Sequence, residues 1–302
     1  MSASEQPQVT AAVVSWNTRE LLLRCLRSLE PEARAGLVGV WVVDNASSDG
    51  SPEAVRAHAP WANLIEPGEN LGFGRAVNLV AGRTSSPWLL AANADVALTD
   101  GALQEMLTAG ADPGVGCVAP CLELPGGSTQ HSVHPLPTVP FTLAFNLGLC
   151  RASKRLGERL CLEGLWDPTR PRAVPWAIGA CLLIRRAAFD SLGGFDEQQW
   201  MYAEDLDFGW RLGEHGWITR YEPSARVLHE SGAATTQAFG EDRRADFMAA
   251  TYAVLRRRRG PARAWTTAAL NVMGAAIRTI GGRGEARRWL NAHVAGLRTL
   301  RR

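Results

Sequence analysis

Trp88-Leu89-Leu90-Ala91-Ala92-Asn93-Ala94-Asp95 is a short apolar run that ends on an amide and a carboxylate. It reads as a buried strand, and a strand presents its last side chains at the carboxyl edge, where open α/β sheets bind ligands. Some hundred residues later comes Glu204-Asp205-Leu206-Asp207, and then a lone His229 after another strand-like run. A strand-end carboxylate, a second acidic cluster and a distant histidine are the layout expected of an enzyme handling a metal-bound diphosphate, since hard divalent cations take oxygen ligands.

Working outward from that strand, the first half alternates. Thr10-Ala-Ala-Val-Val-Ser15 and Val38-Gly-Val-Trp-Val-Val43 are buried strands. Between them, Asn17-Thr-Arg-Glu20 has cap-plus-glutamate spacing and feeds Leu21, Leu22, Cys25, Leu26 and Leu29 at helical period. Ser51-Pro52-Glu53 opens a second helix with Pro at its first turn. A short strand at 62–66 and helices at 75–82 and 101–109 follow. Strand and helix in turn, with continuous apolar strands, imply a parallel sheet covered on both faces. The stretch 120–175, rich in Pro and Gly, reads as a loop-like lobe. Beyond it come one long strand at 174–185, a helix at 202–214, and short strands at 218–221 and 225–229.

The chain has 302 residues, 46% of them apolar, with 11 Trp, enough for a sizeable core. Its six cysteines form no CxxC pair and no signal peptide precedes Val9, so thiols that fill space in a reduced, cytoplasmic protein are expected. Net charge is only +2, but residues 243–302 hold fourteen Arg against Asp246 and Glu285, a net +12. Residues 1–242 therefore carry about −10, which marks a basic C-terminal appendage on an acidic body.

Seven motifs stand in order: Val14-Ser-Trp-Asn17, Val43-Asp-Asn-Ala-Ser-Ser-Asp-Gly50, Asn70-Leu-Gly-Phe-Gly-Arg-Ala-Val-Asn78, Ala92-Asn-Ala-Asp95, Gly193-Gly-Phe-Asp196, Tyr202-Ala-Glu-Asp-Leu-Asp-Phe-Gly-Trp-Arg211 and His229-Glu-Ser-Gly232. Together they resemble the family 2 glycosyltransferases, closest to the bacterial rhamnosyltransferase-like branch, over roughly residues 9–235. The resemblance implies a GT-A fold: a Rossmann-like, mostly parallel sheet flanked by helices, here with a basic helical appendage. It implies residues 1–8 as a disordered N-terminus, a nucleotide-binding half at about 9–119, an acceptor half at 120–235, and the appendage at 236–302. It also implies inverting transfer of a sugar from a nucleotide-diphosphate donor, assisted by Mg²⁺ or Mn²⁺, with dTDP-rhamnose as the expected donor and a UDP-sugar as the alternative.

By that resemblance Asp44 recognises the base, and a carboxylate there can accept the imide N–H of uracil or thymine. Ser15, Asn17, Asn45, Asn70, Arg75, Asn78 and Asn93 are expected around the donor. Asn17 serves equally as a helix cap, and Arg75 and Asn78 as a solvated first turn. The Gly72-x-Gly74 of the third motif has Val77 where a dinucleotide fingerprint needs its last glycine, and it follows the third strand, not the first. Asn93-Ala94-Asp95 stands where the family has DxD, so Asp95 is the one carboxylate left for a metal, with His229 as a second ligand or a structural histidine. Asp205 is the expected base that takes the acceptor's proton, and Glu204 its neighbour, two adjacent acids raising the pKa of one. Acids at a helix N-terminus also suit its dipole, and Asp207 to Arg211 has i,i+4 spacing for an ion pair. Trp200 and Tyr202 stack on acceptor sugars or pack the core.

In the appendage, Arg256-Arg-Arg-Arg259 precedes a 14-residue uncharged segment between Arg263 and Arg278. That is short of the ~20 residues a bilayer span needs. Arg-flanked helices suit either the anionic inner face of a membrane, where a lipid-linked or other glycan acceptor is met, or a helical lid on the acidic body. Nucleic acid is not an expected partner, for no recognised module accompanies the arginines. Two other functions compete. A nucleotidyltransferase wants a glycine-rich basic signature near the first strand, which Val14-Ser-Trp-Asn17 lacks. A non-catalytic nucleotide-sugar-binding protein would tolerate the single carboxylate of Asn93-Ala94-Asp95.

Overall fold

The computed structural model describes residues 6–230, 242–281 and 284–301. The expected boundary at 235/236 and the end of the His229-Glu-Ser-Gly232 motif lie outside them. Exposed Gln6 donates to Ser85 Oγ at 2.5 Å, and Pro7 lies against Gly39.

The alternation builds β1 (Val9–Ser15), α1 (Arg19–Arg34), β2 (Val38–Asp44), α2 (Ser51–His58), β3 (Asn63–Ile65), α3 (Phe73–Ala81), β4 (Trp88–Asn93), β5 (Val96–Leu98) and α4 (Ala102–Ala109). Then come β6 (Val115–Glu123), β7 (Val133–His134), α5 (Val139–Asn146), α6 (Leu149–Ala152) and α7 (Lys154–Arg159). The acidic body ends with β8 (Arg172–Val174), β9 (Trp176–Ala177), β10 (Cys181–Arg185), α8 (Arg186–Ser191), α9 (Glu204–Glu214) and β11 (Ile218–His229). The appendage is α10 (Arg244–Arg259), α11 (Pro261–Ile280) and α12 (Gly284–Thr299).

Nine strands form one sheet in the order β3-β2-β1-β4-β10-β6-β11-β5, with β8 also on β11. The strands β3, β2, β1, β4, β6 and β11 run one way, and β10, β5 and β8 the other. Side chains alternate along each strand, so the two faces have separate cores. Val9, Ala11 and Val13 pack under α1, α2 and α4, whereas Ala12 and Val43 pack with α3, α8 and α9. A third core joins Leu206 and Trp210 of α9 to Met248, Tyr252, Val254 and Leu255 of α10 and to Ala264, Ala268 and Ala292.

Four expectations change. The lobe at 120–175 does not begin at a loop: β6 runs through Pro120 in mid-sheet. Pro120 is tolerated because it stands opposite Glu222, where the β11 register shifts at a bulge. That bulge joins 218–221 and 225–229 into one strand. The expected strand 174–185 is three pieces, broken where the Gly179 N–H turns away to Asp205 Oδ2 (2.9 Å). Asn17 does not cap α1. It sits at φ 52, and Thr18 takes the cap position.

The arginine run of the appendage faces the body. Arg257 reaches Gln199 and Asp196, Arg258 reaches Asp207 and Asp196, and Arg259 pairs with Glu214 and lies 4.6 Å over the Trp210 ring. The lid arrangement is therefore what the run itself adopts. No helix among the described residues is long and apolar enough to cross a membrane.

Candidate active site

Register places three strand ends side by side at one sheet edge: Ser15 is opposite Asp44, and Val14 opposite Asn93. The chain leaves β4 through Ala94 and Asp95, a turn tied down by Ala94 N–H to Val14 O at 3.0 Å. From the other side β11 brings His229 opposite Val96, the first residue of β5. Asp95 and His229 thus meet by sheet pairing, although 134 positions separate them, with Asp95 Oδ1 3.5 Å from His229 Nε2 and both side chains buried.

The surroundings of this pair leave it incomplete. His229 Nδ1 donates to Gln130 Oε1 at 2.6 Å, the arrangement that leaves Nε2 its lone pair. Asp95 Oδ1 is buried and receives no hydrogen bond. Two electron-pair donors facing one gap fit a cation, and a histidine with its other nitrogen fixed by a neighbour is the usual arrangement of a metal ligand. Among the described residues no group of three or more His, Cys, Asp or Glu is gathered for a metal. Further ligands for a cation here would have to come from a bound molecule or water.

The facing wall is the start of α9. Asp205 Oδ2 accepts from Gly179 N–H (2.9 Å) and Oδ1 from Leu206 N–H (2.8 Å), which fixes the carboxylate at a helix N-terminus. Burial pushes the pKa of Asp205 up, opposed by those N–H groups. Glu204 is pushed up to about 8, by burial and then by the adjacent Asp205. Its Oε2 is buried without a donor. The two backbone donors on Asp205 favour its charged form, a support that Glu204 Oε2 lacks.

A third wall comes from Asn45, Asn70 and the strap before α9. Asn45 Oδ1 accepts from Leu71 N–H (3.3 Å), Asn70 Oδ1 from Gly72 N–H (2.9 Å), and Trp200 Nε1 donates to Asn70 O (3.1 Å). Gly72 is required here, at φ 75 and ψ 178, because a Cβ would lie 2.1 Å from Trp200 O. Tyr202 and Ala203 both have positive φ, turning the strap into the helix.

The walls enclose a crevice of about 330 Å³ lined by Ser15, Asn45, Asn70, Asn93, Asp95, Trp200, Tyr202, Glu204, Asp205 and His229. Asp44 is buried just behind this lining. Its Oδ1 accepts from Ser47 N–H (2.8 Å), and its Oδ2 is buried with no donor. Besides Asp44, three residues expected at the donor are not in the lining. Asn17 stitches two loops, receiving Ser48 N–H at 2.8 Å. Asn78 clamps the turn before the strap, bonding both N–H and O of Phe195 at 2.9 Å. Arg75 is on the exposed face of α3. Gln130, which the sequence reading missed, lines the crevice from an aperiodic stretch that carries no local signal. Trp16 and Met201 also line it.

This architecture, with its acids converging at the sheet's carboxyl edge, is the GT-A fold. Its solved neighbours include the mannosyltransferase PcManGT from Pyrobaculum calidifontis in complex with GDP-Man and Mn²⁺ (TM-score 0.58, 19% identity, 97% of this chain and 86% of that one). Another is GalNAc-T7 with UDP, GalNAc and Mn²⁺ (TM-score 0.59, 14% identity, 83% and 48%). The chain belongs to glycosyl transferase family 2, whose profile matches residues 10–193, and the profile of glycosyl transferase family group 2 matches 168–290. It is 35% identical over 226 residues to the N-acetylglucosaminyl-diphospho-decaprenol L-rhamnosyltransferase of Mycobacterium tuberculosis, covering 66% of this chain and 68% of that protein. It is 29% identical over 101 residues to rhamnosyltransferase WbbL of Escherichia coli, covering 33% of this chain and 35% of the relative. The protein is a glycosyltransferase near the rhamnosyltransferase branch.

Proposed function

We propose that the enzyme is an inverting transferase that moves a sugar from a nucleotide-diphosphate donor to a glycan or lipid-linked acceptor, with rhamnose from dTDP-rhamnose the favoured donor. One observation carries this reading: Asp205 and Asp95 face the same crevice from opposite walls, one fixed by backbone donors and the other with Oδ1 buried and unbonded. Displacement at an anomeric carbon requires the acceptor hydroxyl to lose its proton as it attacks, and Asp205 is the carboxylate positioned to take it. Glu204 stays protonated at neutral pH, where it can donate to the acceptor and adds no second charge beside the base.

Asp95 and His229 would hold Mg²⁺ or Mn²⁺, with the Mn²⁺ in both solved neighbours supporting that reading. The cation would supply charge neutralisation of the departing diphosphate. Asp44 Oδ2, buried without a donor, suits the imide N–H of a pyrimidine. A decaprenol-linked substrate in the name of the Mycobacterium tuberculosis relative favours a lipid-linked acceptor met at the inner face of the membrane.

The test is thermal unfolding of the purified chain with Mg²⁺ or Mn²⁺ and a panel of dTDP-, UDP- and GDP-sugars. A ligand at a hundred times its Kd stabilises by about 2.7 kcal/mol. Metal-dependent protection by dTDP- or UDP-sugars is expected. Protection by GDP-sugars alone would contradict the role given to Asp44.

A further inference from the structure

We propose that the face formed by α5, the turn after it and the C-terminal half of α11 docks on an anionic lipid bilayer. The proposal deepens the lipid-linked-acceptor reading above by naming the surface that meets the membrane. The five most exposed large apolar side chains among the described residues all lie here: Ile280 (87% exposed), Ile277 (67%), Leu147 (64%), Met273 (57%) and Leu149 (54%). Single exposed leucines are ordinary, but a group of them on contacting helices marks an interaction surface.

The pattern on α11 inverts that of a helix packed on a water-soluble protein. Its fully buried positions are small, namely Ala264, Thr267, Ala268, Gly274 and Ala275, with Trp265 packed inward only near its start. Its large residues Met273, Ile277 and Ile280 have i, i+4, i+7 spacing and face outward. Small inward residues let α11 come close to α5, and Asn146 fastens the two. Asn146 Nδ2 donates to Asn271 Oδ1 (3.0 Å), Arg278 Nη1 donates to Asn146 Oδ1 (3.0 Å), and a Cβ at Gly274 would sit 1.8 Å from that same oxygen. The apolar face is therefore held in one shape without a lipid present.

Charge selects the occupant. Arg151, Lys154 and Arg155, exposed on α6 and α7, follow Leu149 directly in the chain, and Arg287 and Arg288 are exposed on α12. The acids of these helices, Glu158 and Glu285, are paired with Arg172 and Arg244. Apolar side chains beside unneutralised cations fit the boundary between acyl chains and anionic headgroups. Arg257, Arg258 and Arg259, turned inward on the acidic body, are not part of this surface.

The experiment is flotation of the full chain with vesicles of phosphatidylglycerol and phosphatidylcholine, or of phosphatidylcholine alone, at low and high salt. The wild type should float with the anionic vesicles and be released by salt. The triple variant Met273→Glu, Ile277→Glu, Ile280→Glu should partition at least tenfold less, while Ile218→Glu, exposed but elsewhere, should float like wild type. Melting temperature, nucleotide protection and transfer to a water-soluble acceptor should be unchanged in the triple variant. Failure of transfer in the wild type would thus count against the proposed function and leave the docking surface standing. Equal flotation of the triple variant would overturn the proposal. So would a wild-type dimer in sedimentation that the triple variant abolishes, for the face would then belong to a second copy.

Discussion

Replacing Arg258 by Met tests whether the appendage braces the catalytic helix. Asp207 is one turn into α9 and its side chain is fully buried, so its charge depends on its partners. Arg258 supplies two of the three charged hydrogen bonds to it, Nε to Oδ1 at 2.5 Å and Nη2 to Oδ2 at 3.1 Å; Arg211 Nε supplies the third at 2.7 Å. Breaking a buried pair outright costs about 3–5 kcal/mol, but here Arg211 remains. A charged hydrogen bond contributes about 1.5–3 kcal/mol, so a loss of about 2–3 kcal/mol is expected. For a chain of this size that lowers Tm by roughly 3–5 °C. Calorimetry on the single variant, on Asp207→Asn and on the double variant isolates the pair, with a coupling of about 1.5 kcal/mol or more expected. Because Glu204 and Asp205 open the same helix, kcat should fall with stability while nucleotide affinity holds. A coupling under about 0.5 kcal/mol, or wild-type Tm in the single variant, would refute the bracing role.

Three further outcomes follow from the site. The raised pKa of Glu204 means the folded chain favours its neutral form. The stability this gives is present below about 4.5 and lost as pH climbs to about 8. Glu204→Gln should therefore gain Tm over wild type across that window and level off above it, whereas a constant difference would contradict the buried-acid assignment. Gly72→Ala should cost at least about 1–3 kcal/mol in backbone strain alone, and more from the contact with Trp200 O; titration should show weakened donor binding. Burial pushes the thiols of Cys25, Cys117 and Cys181 up, the last to about 12, so iodoacetamide should modify them only in urea, as mass spectrometry would show.

Much of the sheet was legible because continuous apolar strands and helical periodicity are local signals. The strands β1, β2 and β4 and the helix start at Ser51 needed nothing beyond the chain around them, whereas the helix expected from Tyr202 begins at Glu204, after Tyr202 and Ala203 at positive φ. β6 was hidden because Pro120 and Gly116 argue against a central strand. Only the tertiary structure explains them, through the bulge opposite Pro120 and through Trp217, whose Cβ would lie 2.8 Å from a Cβ at Gly116. The break at Gly179 was likewise invisible, since it depends on a carboxylate 26 residues away. At the site, acids at strand and helix ends could be found from type and position, but polar residues could not be sorted. Asn45, Asn70 and Asn93 line the crevice while Asn17 and Asn78 tie loops together, and an asparagine in a loop serves either purpose. The arginine run announced its charge but not its direction, which was set by Asp196, Asp207 and Glu214 arriving from other elements.

The central claim is that a single carboxylate, Asp205, poised across the crevice from Asp95, deprotonates the acceptor. Single-turnover transfer and nucleotide titration on Asp205→Asn address it together. We expect transfer to fall by at least about 10²–10⁴-fold, the usual contribution of a general base, with donor affinity within a few-fold of wild type. Transfer at the wild-type rate by that variant would contradict the account.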